Sequence, residues 1–177
     1  MRLIPHRDHP PFGVTALEAG ITGLSDDWVT LRWRIEGAAR LLVPPFKGKG
    51  RADNLWRTTC FELFVRPDVG SSYCEFNLSP SEQWAAYDFS SYRQGMTERP
   101  AGQDPVCTLR QGTGLAIFDA AIPRGALPPR PWHYGLCAVL EEQGGVKSYW
   151  ALRHPEGPPD FHHGTCFVAP LPAPADR

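Results

Sequence analysis

Hydrophobic and polar residues alternate most regularly in residues 55–89, LWRTTCFELFVRPDVGSSYCEFNLSPSEQWAAYDF. Within 59–65, Cys60, Glu62 and Phe64 fall on one side, and Phe61, Leu63 and Val65 on the other. Within 73–79, Cys74, Phe76 and Leu78 form an apolar side, while Tyr73, Glu75, Asn77 and Ser79 form its opposite. Strand side chains switch faces at every residue, so each run predicts a strand with one core face and one face bearing polar groups. The intervening 66–72 holds Pro, Asp, Gly and Ser, the residues of a tight connection. Paired as a hairpin, the two strands place Glu62, Glu75 and Asn77 on a shared face, with Trp56 and Trp84 near its ends.

The same period recurs along the chain. Strands are predicted over 12–19, 28–35, 41–43, 115–122, 132–141, 147–152 and 165–169, and AAYDF after Trp84 continues a third central strand. Residues 20–27, 44–54, 90–106 and 153–164 read as connections, and Gly144-Gly145 as a hairpin turn. The 17 Gly and 19 Pro fit that many turns, and no stretch supports a long helix. Roughly nine or ten strands without crossover helices predict an all-β, antiparallel protein. An open sheet would leave one face uncovered, so the architecture predicted is a β-sandwich of jelly-roll type. At 177 residues the chain suits one domain, here 1–170, followed by a Pro-rich tail at 171–177 that offers nothing to pack.

Composition narrows the function classes. A formal net charge of -1 supplies no field for nucleic acid or an anionic membrane, and no apolar run is long enough to span a bilayer. The opening MRLIPHRDHPPFG has charge but no apolar signal segment. Cys60, Cys74, Cys107, Cys137 and Cys166 are odd in number and contain no CxxC, which predicts free buried thiols in a reducing, cytoplasmic setting.

Glu62, Glu75 and Asn77 flanked by Trp56 and Trp84 suit a hydroxyl-rich ligand. Sugar hydroxyls need donors and acceptors, and sugar C–H faces pack on aromatic rings. Arg32 and Arg34, on the polar side of 28–35, are further candidate contacts. They could equally close the two glutamates in ion pairs within the sheet. Lys47, Lys49 and Arg51 make the 44–54 loop basic where it can overhang that face. The loop RHPEGPPDFHHG adds His154 as a candidate contact. Its Asp160, His162 and His163 are metal-binding types in a spacing that matches no zinc motif. Glu62 and Glu75 could serve as an acid/base pair on a sugar derivative. Nucleophile elbow, phosphate loop and dinucleotide fingerprint are all missing, so a non-catalytic role is the leading expectation. Met96 with a histidine is the pair that haem ligation would need.

LWRTTCFELFV, YCEFNLSPSEQWAAYDF and YWALRHPEGPPDFHH, in that order, resemble the DOMON-like superfamily, and most closely its bacterial branch similar to family 9 carbohydrate-binding modules. The likeness runs from about Trp28 to Phe167. It implies a jelly-roll sandwich that binds a ligand rather than catalysing: a saccharide in the sugar-binding relatives, haem in the cytochrome-like ones. The positions matching the sugar-binding motif are Trp56, Glu62, Glu75, Asn77 and Trp84. Such modules often carry calcium, but the chain shows no Asp-rich calcium loop, and no cofactor is expected.

Overall fold

The computed structural model describes residues 1–172. Strand β1 (Arg2–Pro5) is followed by the long hairpin of β2 (Ala16–Leu24) and β3 (Trp28–Glu36). Two short strands, β4 (Leu41–Leu42) and β5 (Gly50–Arg51), lead into the central β6 (Cys60–Pro67), β7 (Tyr73–Leu78) and β8 (Gln83–Phe89). After β9 (Thr97–Glu98) come β10 (Val106–Gln111), β11 (Leu115–Pro123), β12 (Trp132–Glu142), β13 (Val146–Ala151) and β14 (Ala169–Leu171). The only helical pieces among the described residues are four single 3-10 turns.

All fourteen strands belong to one sheet, with the principal order β10-β11-β3-β2-β1-β13-β12-β6-β7-β8-β5. Strand β1 is the seam. Arg2 and Leu3 pair with β2, and Ile4 and Pro5 pair with β13. The sheet curls about that seam so that its halves face each other across a shared core. Phe118 of β11 stacks on Phe61 of β6 at 4.1 Å between ring centroids, and Trp33 of β3 lies 5.4 Å from Phe61. The sequence predicts separate antiparallel sheets; the chain forms one mixed sheet, with β5 parallel to β8. The expected strand count falls short because β1, β5 and β9 are two to four residues long, below the length at which alternation is visible, and because the six-residue β10 is mostly exposed and shows no apolar face.

Strand β3 follows its pattern: Val29, Leu31, Trp33 and Ile35 are buried, and Thr30, Arg32 and Arg34 are turned outward. Strands β6 and β7 are buried on both faces, because loops cover the side turned away from the core. The first predicted strand is displaced. Residues 12–14 are not paired, because their amides donate to the Glu142 carboxylate instead. The expected 20–27 turn is strand as far as Leu24, since Gly20 and Gly23 accommodate a register shift between Ile21 and Gly23. Gly37, at φ 75°, is obligatory: a Cβ there would lie 2.2 Å from the Gly13 carbonyl oxygen.

The C-terminal expectation also shifts. Residues 164–166 form a 3-10 turn, with the Cys166 thiol near the Arg153 and Asp160 carbonyls, and the closing strand comes later. Leu171, predicted to open an unpacked tail, pairs with Trp132 on β12, and the preceding Pro170 pairs with His133, where a proline is tolerated at the sheet margin. The tail residues 173–177 lie outside the described residues. All five cysteines are free and buried. No helix among the described residues is long and apolar enough to cross a membrane.

Candidate binding site

The register of the central strands builds the site. Glu62 pairs with Asn77 and Phe64 with Glu75 across β6 and β7; Glu75 pairs with Tyr87, and Tyr73 with Phe89, across β7 and β8. Directly paired residues share a face, so Glu62, Glu75, Asn77, Tyr87 and Phe89 all point away from the core. Phe61, Leu63, Phe76 and Leu78 occupy the opposite face, inside the core.

Above these residues opens a cavity of about 940 Å³, toward the upper end of the roughly 300–1,000 Å³ usual for small-molecule sites. Glu62, Glu75 and Asn77 form its floor, and Tyr87, Phe89, Tyr149 and Phe161 its aromatic walls. The half-exposed Trp56 stands at the mouth, held out by a 3-10 turn at Leu55–Arg57. Arg51, Asp53 and Asn54 reach it from the basic loop, and Arg93, Met96 and Glu98 from the connection after β8.

The floor carries buried acid. Glu62 is only 3% exposed and Glu75 6%. Asn77 donates to Glu75 at 2.7 Å, whereas Glu62 has no hydrogen-bond partner among the described residues. Burial, then the neighbouring Glu75 charge, pushes the Glu62 carboxyl well above the usual carboxylate range. Burial likewise pushes Glu75 up to about 7, against the opposing pull of the Asn77 hydrogen bond and the Arg93 cation. Both groups can therefore be protonated near neutrality, and a carboxylic acid can donate as well as accept.

One wall is a fixed hydrogen-bond chain. The Arg93 amide donates to the Tyr73 hydroxyl at 3.1 Å, and that hydroxyl lies 2.8 Å from His162 Nδ1. The Tyr73 hydroxyl proton has no other acceptor among the described residues, so it goes to Nδ1 and His162 carries its hydrogen on Nε2, which faces Glu75 at 3.8 Å. Burial, and then Arg93, lower His162 to about 4, so the ring is neutral at physiological pH. Asp160 anchors the chain from outside: Arg93 at 2.7 Å and Tyr92 at 2.6 Å both donate to it. Burial alone would raise the Asp160 carboxyl, but those two hydrogen bonds hold it below its ordinary range. On the other side Tyr87 donates to Asp53 at 2.5 Å, and Arg51 lies over the Tyr87 ring.

The structure gathers Trp56, Glu62, Glu75, Asn77 and His162 at the cavity and sends the other candidates elsewhere. Trp84 pairs with Leu78, which puts its indole on the core face, 6% exposed. Arg32 and Arg34 lie on the far half of the sheet, bound to Asp119 and Glu36, and leave both glutamates untouched. His154 donates from Nε2 to the Ile4 carbonyl and packs edge-on to His6 rather than lining the cavity. His163 turns outward to Thr165 and caps a 3-10 turn. The proposed metal group thus splits among separate partners, and no three His, Cys, Asp or Glu residues converge as a metal site among the described residues. Met96 and His162 do line the same cavity. His162 has Nδ1 engaged by Tyr73 and Nε2 turned to Glu75, so the ring does not suit an axial haem ligand.

Tyr87 and Phe89 escape the sequence reading although their parity within QWAAYDF, opposite to that of Trp84, marks them as sharing the Glu75 face. Arg93, Tyr149 and Phe161 arrive from segments whose placement no local pattern reveals.

Neither a family model nor a curated protein matches the sequence. Among solved structures, the fold is similar to that of a proposed carbohydrate-binding protein from Bacteroides uniformis, with a TM-score of 0.60 and 16% identity over 94% of this chain and 83% of that one. A family 9 carbohydrate-binding module from Caldicellulosiruptor kristjanssonii, solved with glucose, aligns at a TM-score of 0.46 and 10% identity over 80% of this chain and 69% of that one. The first likeness shows that the chain shares its all-β fold with that protein.

Proposed function

We propose that the cavity over β6, β7 and β8 binds a small saccharide or a similar polar metabolite without transforming it. The observation that carries this reading is Glu62, a buried carboxyl without a protein partner that opens onto a cavity walled by aromatic rings. Buried polar groups are ordinarily satisfied, and one left open beside an accessible space calls for a partner from outside. Glu62, Glu75 and Asn77 offer both donors and acceptors to hydroxyls. Trp56 and Tyr87 offer faces for sugar C–H groups. The likeness to a proposed carbohydrate-binding protein supports the same class of ligand; the quoted motifs support a relation to the DOMON-like superfamily, and the free buried thiols a cytoplasmic setting for the single domain.

Titration of tryptophan fluorescence with mono- and oligosaccharides tests the reading. Of the six tryptophans, Trp56 is the one at the cavity mouth. Binding in the millimolar range or tighter should shift its emission, and Trp56→Phe should abolish the shift and weaken binding by about tenfold. If calorimetry also finds no heat with any sugar, the reading fails.

A second reading has its own observation: two buried carboxyls share one cavity, and a glycoside-cleaving pair needs one such group protonated while the other is ionised. Hydrolysis of aryl glycosides, lost in Glu75→Gln, would favour it over simple binding.

A further inference from the structure

The charges facing the cavity are compensated everywhere except on its floor. Arg51, from the 51–54 loop, is ion-paired to Asp53 at 3.0 Å and to Glu98 of β9 at 3.2 Å. Arg93 is taken by Asp160. His162, from the loop after β13, is neutral, and His9 sits at the mouth edge-on to Tyr149. From β6 and β12, Cys60 and Cys137 face Glu62, and burial holds both as thiols. From β7 and β8, Tyr73 and Tyr87 are held as phenols by burial. Glu62 and Glu75 remain. Glu75 has one neutral amide and the more distant pull of Arg93, and Glu62 has neither a hydrogen bond nor a cation.

A buried carboxylate without a counter-charge is strongly disfavoured, and a cation placed against it reverses that. The walls suit the same visitor: aromatic rings attract cations, Tyr87 and Trp56 already hold Arg51 and Arg57, and Tyr149 offers a ring with no arginine over it. Resting on the saccharide reading above, we infer that the ligand is an amino sugar whose protonated amine sits over Glu62 and Glu75. The ammonium keeps its protons. The carboxyl it meets ionises, its O–H bond breaks, and that proton leaves to solvent. Binding of an amine is therefore coupled to proton release, and a neutral sugar lacks the coupling.

Calorimetry on the full chain with D-glucosamine, N-acetyl-D-glucosamine and D-glucose tests this, in two buffers of different ionisation enthalpy. At about pH 6, D-glucosamine should bind about tenfold or more tightly than either neutral sugar. It should release up to about one proton per site, with affinity rising from about pH 5 to about pH 7. Glu62→Gln should abolish both the preference and the release. Glucosamine binding no better than glucose, with no proton release, overturns the amine while leaving the saccharide reading intact. If none of the three binds, both fall.

Discussion

Glu142 and Glu62 sit on adjacent strands, β12 and β6, and both are hidden from solvent, yet the chain treats them in opposite ways. Glu142, fully buried, accepts from the amides of Phe12, Gly13 and Val14 at 2.7, 2.6 and 3.1 Å. Three charge-assisted bonds satisfy the carboxylate and tie the 12–14 segment down. The approach is close enough that a Cβ on Gly13 would lie 3.1 Å from Glu142 Oε1. Glu62 has no such partner, and an open volume lies above it. Burial alone therefore says little about the role of an acidic residue. What separates a structural carboxylate from a candidate functional one is whether the protein completes its hydrogen bonds.

The comparison is broken most directly at Glu142. Glu142→Ala strips three amides of their acceptor and should lower unfolding free energy by about 3 kcal/mol, read as a shifted urea midpoint. Glu142→Gln keeps one acceptor oxygen and should fall between. If Glu62→Ala proves as harmful as Glu142→Ala, the distinction between the two carboxyls collapses.

Acid–base titration of stability is the next largest effect. Glu62 and Glu75 have folded values above their unfolded ones, so the folded state holds extra protons. Their stabilising contribution is complete below about pH 4.5 and is lost as pH rises through the folded values, to about 7 for Glu75. His162 acts in the other direction. Its folded value of about 4 lies below the ordinary 6.5, so its contribution is present above 6.5 and is lost as pH falls toward 4. Between about pH 4.5 and 6.5 the slopes oppose each other. Above about 6.5 only the carboxyls act, and stability should drop by on the order of 1–2 kcal/mol by about pH 8. Denaturant unfolding across that range measures it, and the Glu62→Gln/Glu75→Gln double variant should flatten the fall.

A smaller effect isolates Glu62. Glu62→Gln removes a charge that has no counterpart, so at about pH 8 the variant should be more stable than the parent by about 1 kcal/mol. Near pH 5 the parent carboxyl is already protonated, and the gain should vanish. A variant destabilised equally at both pH values would mean that Glu62 has a structural partner after all.

The alternation in residues 59–65 and 73–79 was enough to put Glu62, Glu75 and Asn77 on one face, because strand parity is a local property and the hairpin register preserved it. The same rule applied to β8 separates Trp84 from Tyr87, but an indole beside acidic strands suits a ligand face as well as a core, and only the register with β7 decides between them. The all-β class was legible in the same way. The curl was not, because it depends on β1, four residues long, pairing to both sides. The clamp on Glu142 joins residues about 130 positions apart, and Arg93 meets His162 through Tyr73. Such contacts leave no periodic trace in the chain.

Arg32 marks the limit of smallest effect and supplies a third setting for a carboxylate. The sequence allowed it to seal Glu62 or Glu75. It instead binds Asp119 at 2.6 Å across β3 and β11, where the two are directly paired, and Arg110 binds the same carboxylate. Burial would raise Asp119, but the hydrogen bonds from Arg32 and Arg110 bring it below its ordinary range. The pair stays in contact with water, where screening and side-chain entropy cancel most of the attraction. Arg32→Ala should therefore leave the urea midpoint unchanged within error, and sugar affinity with it. Loss of affinity in that variant would mean that the far half of the sheet communicates with the cavity, and the separation of the two faces would have to be abandoned.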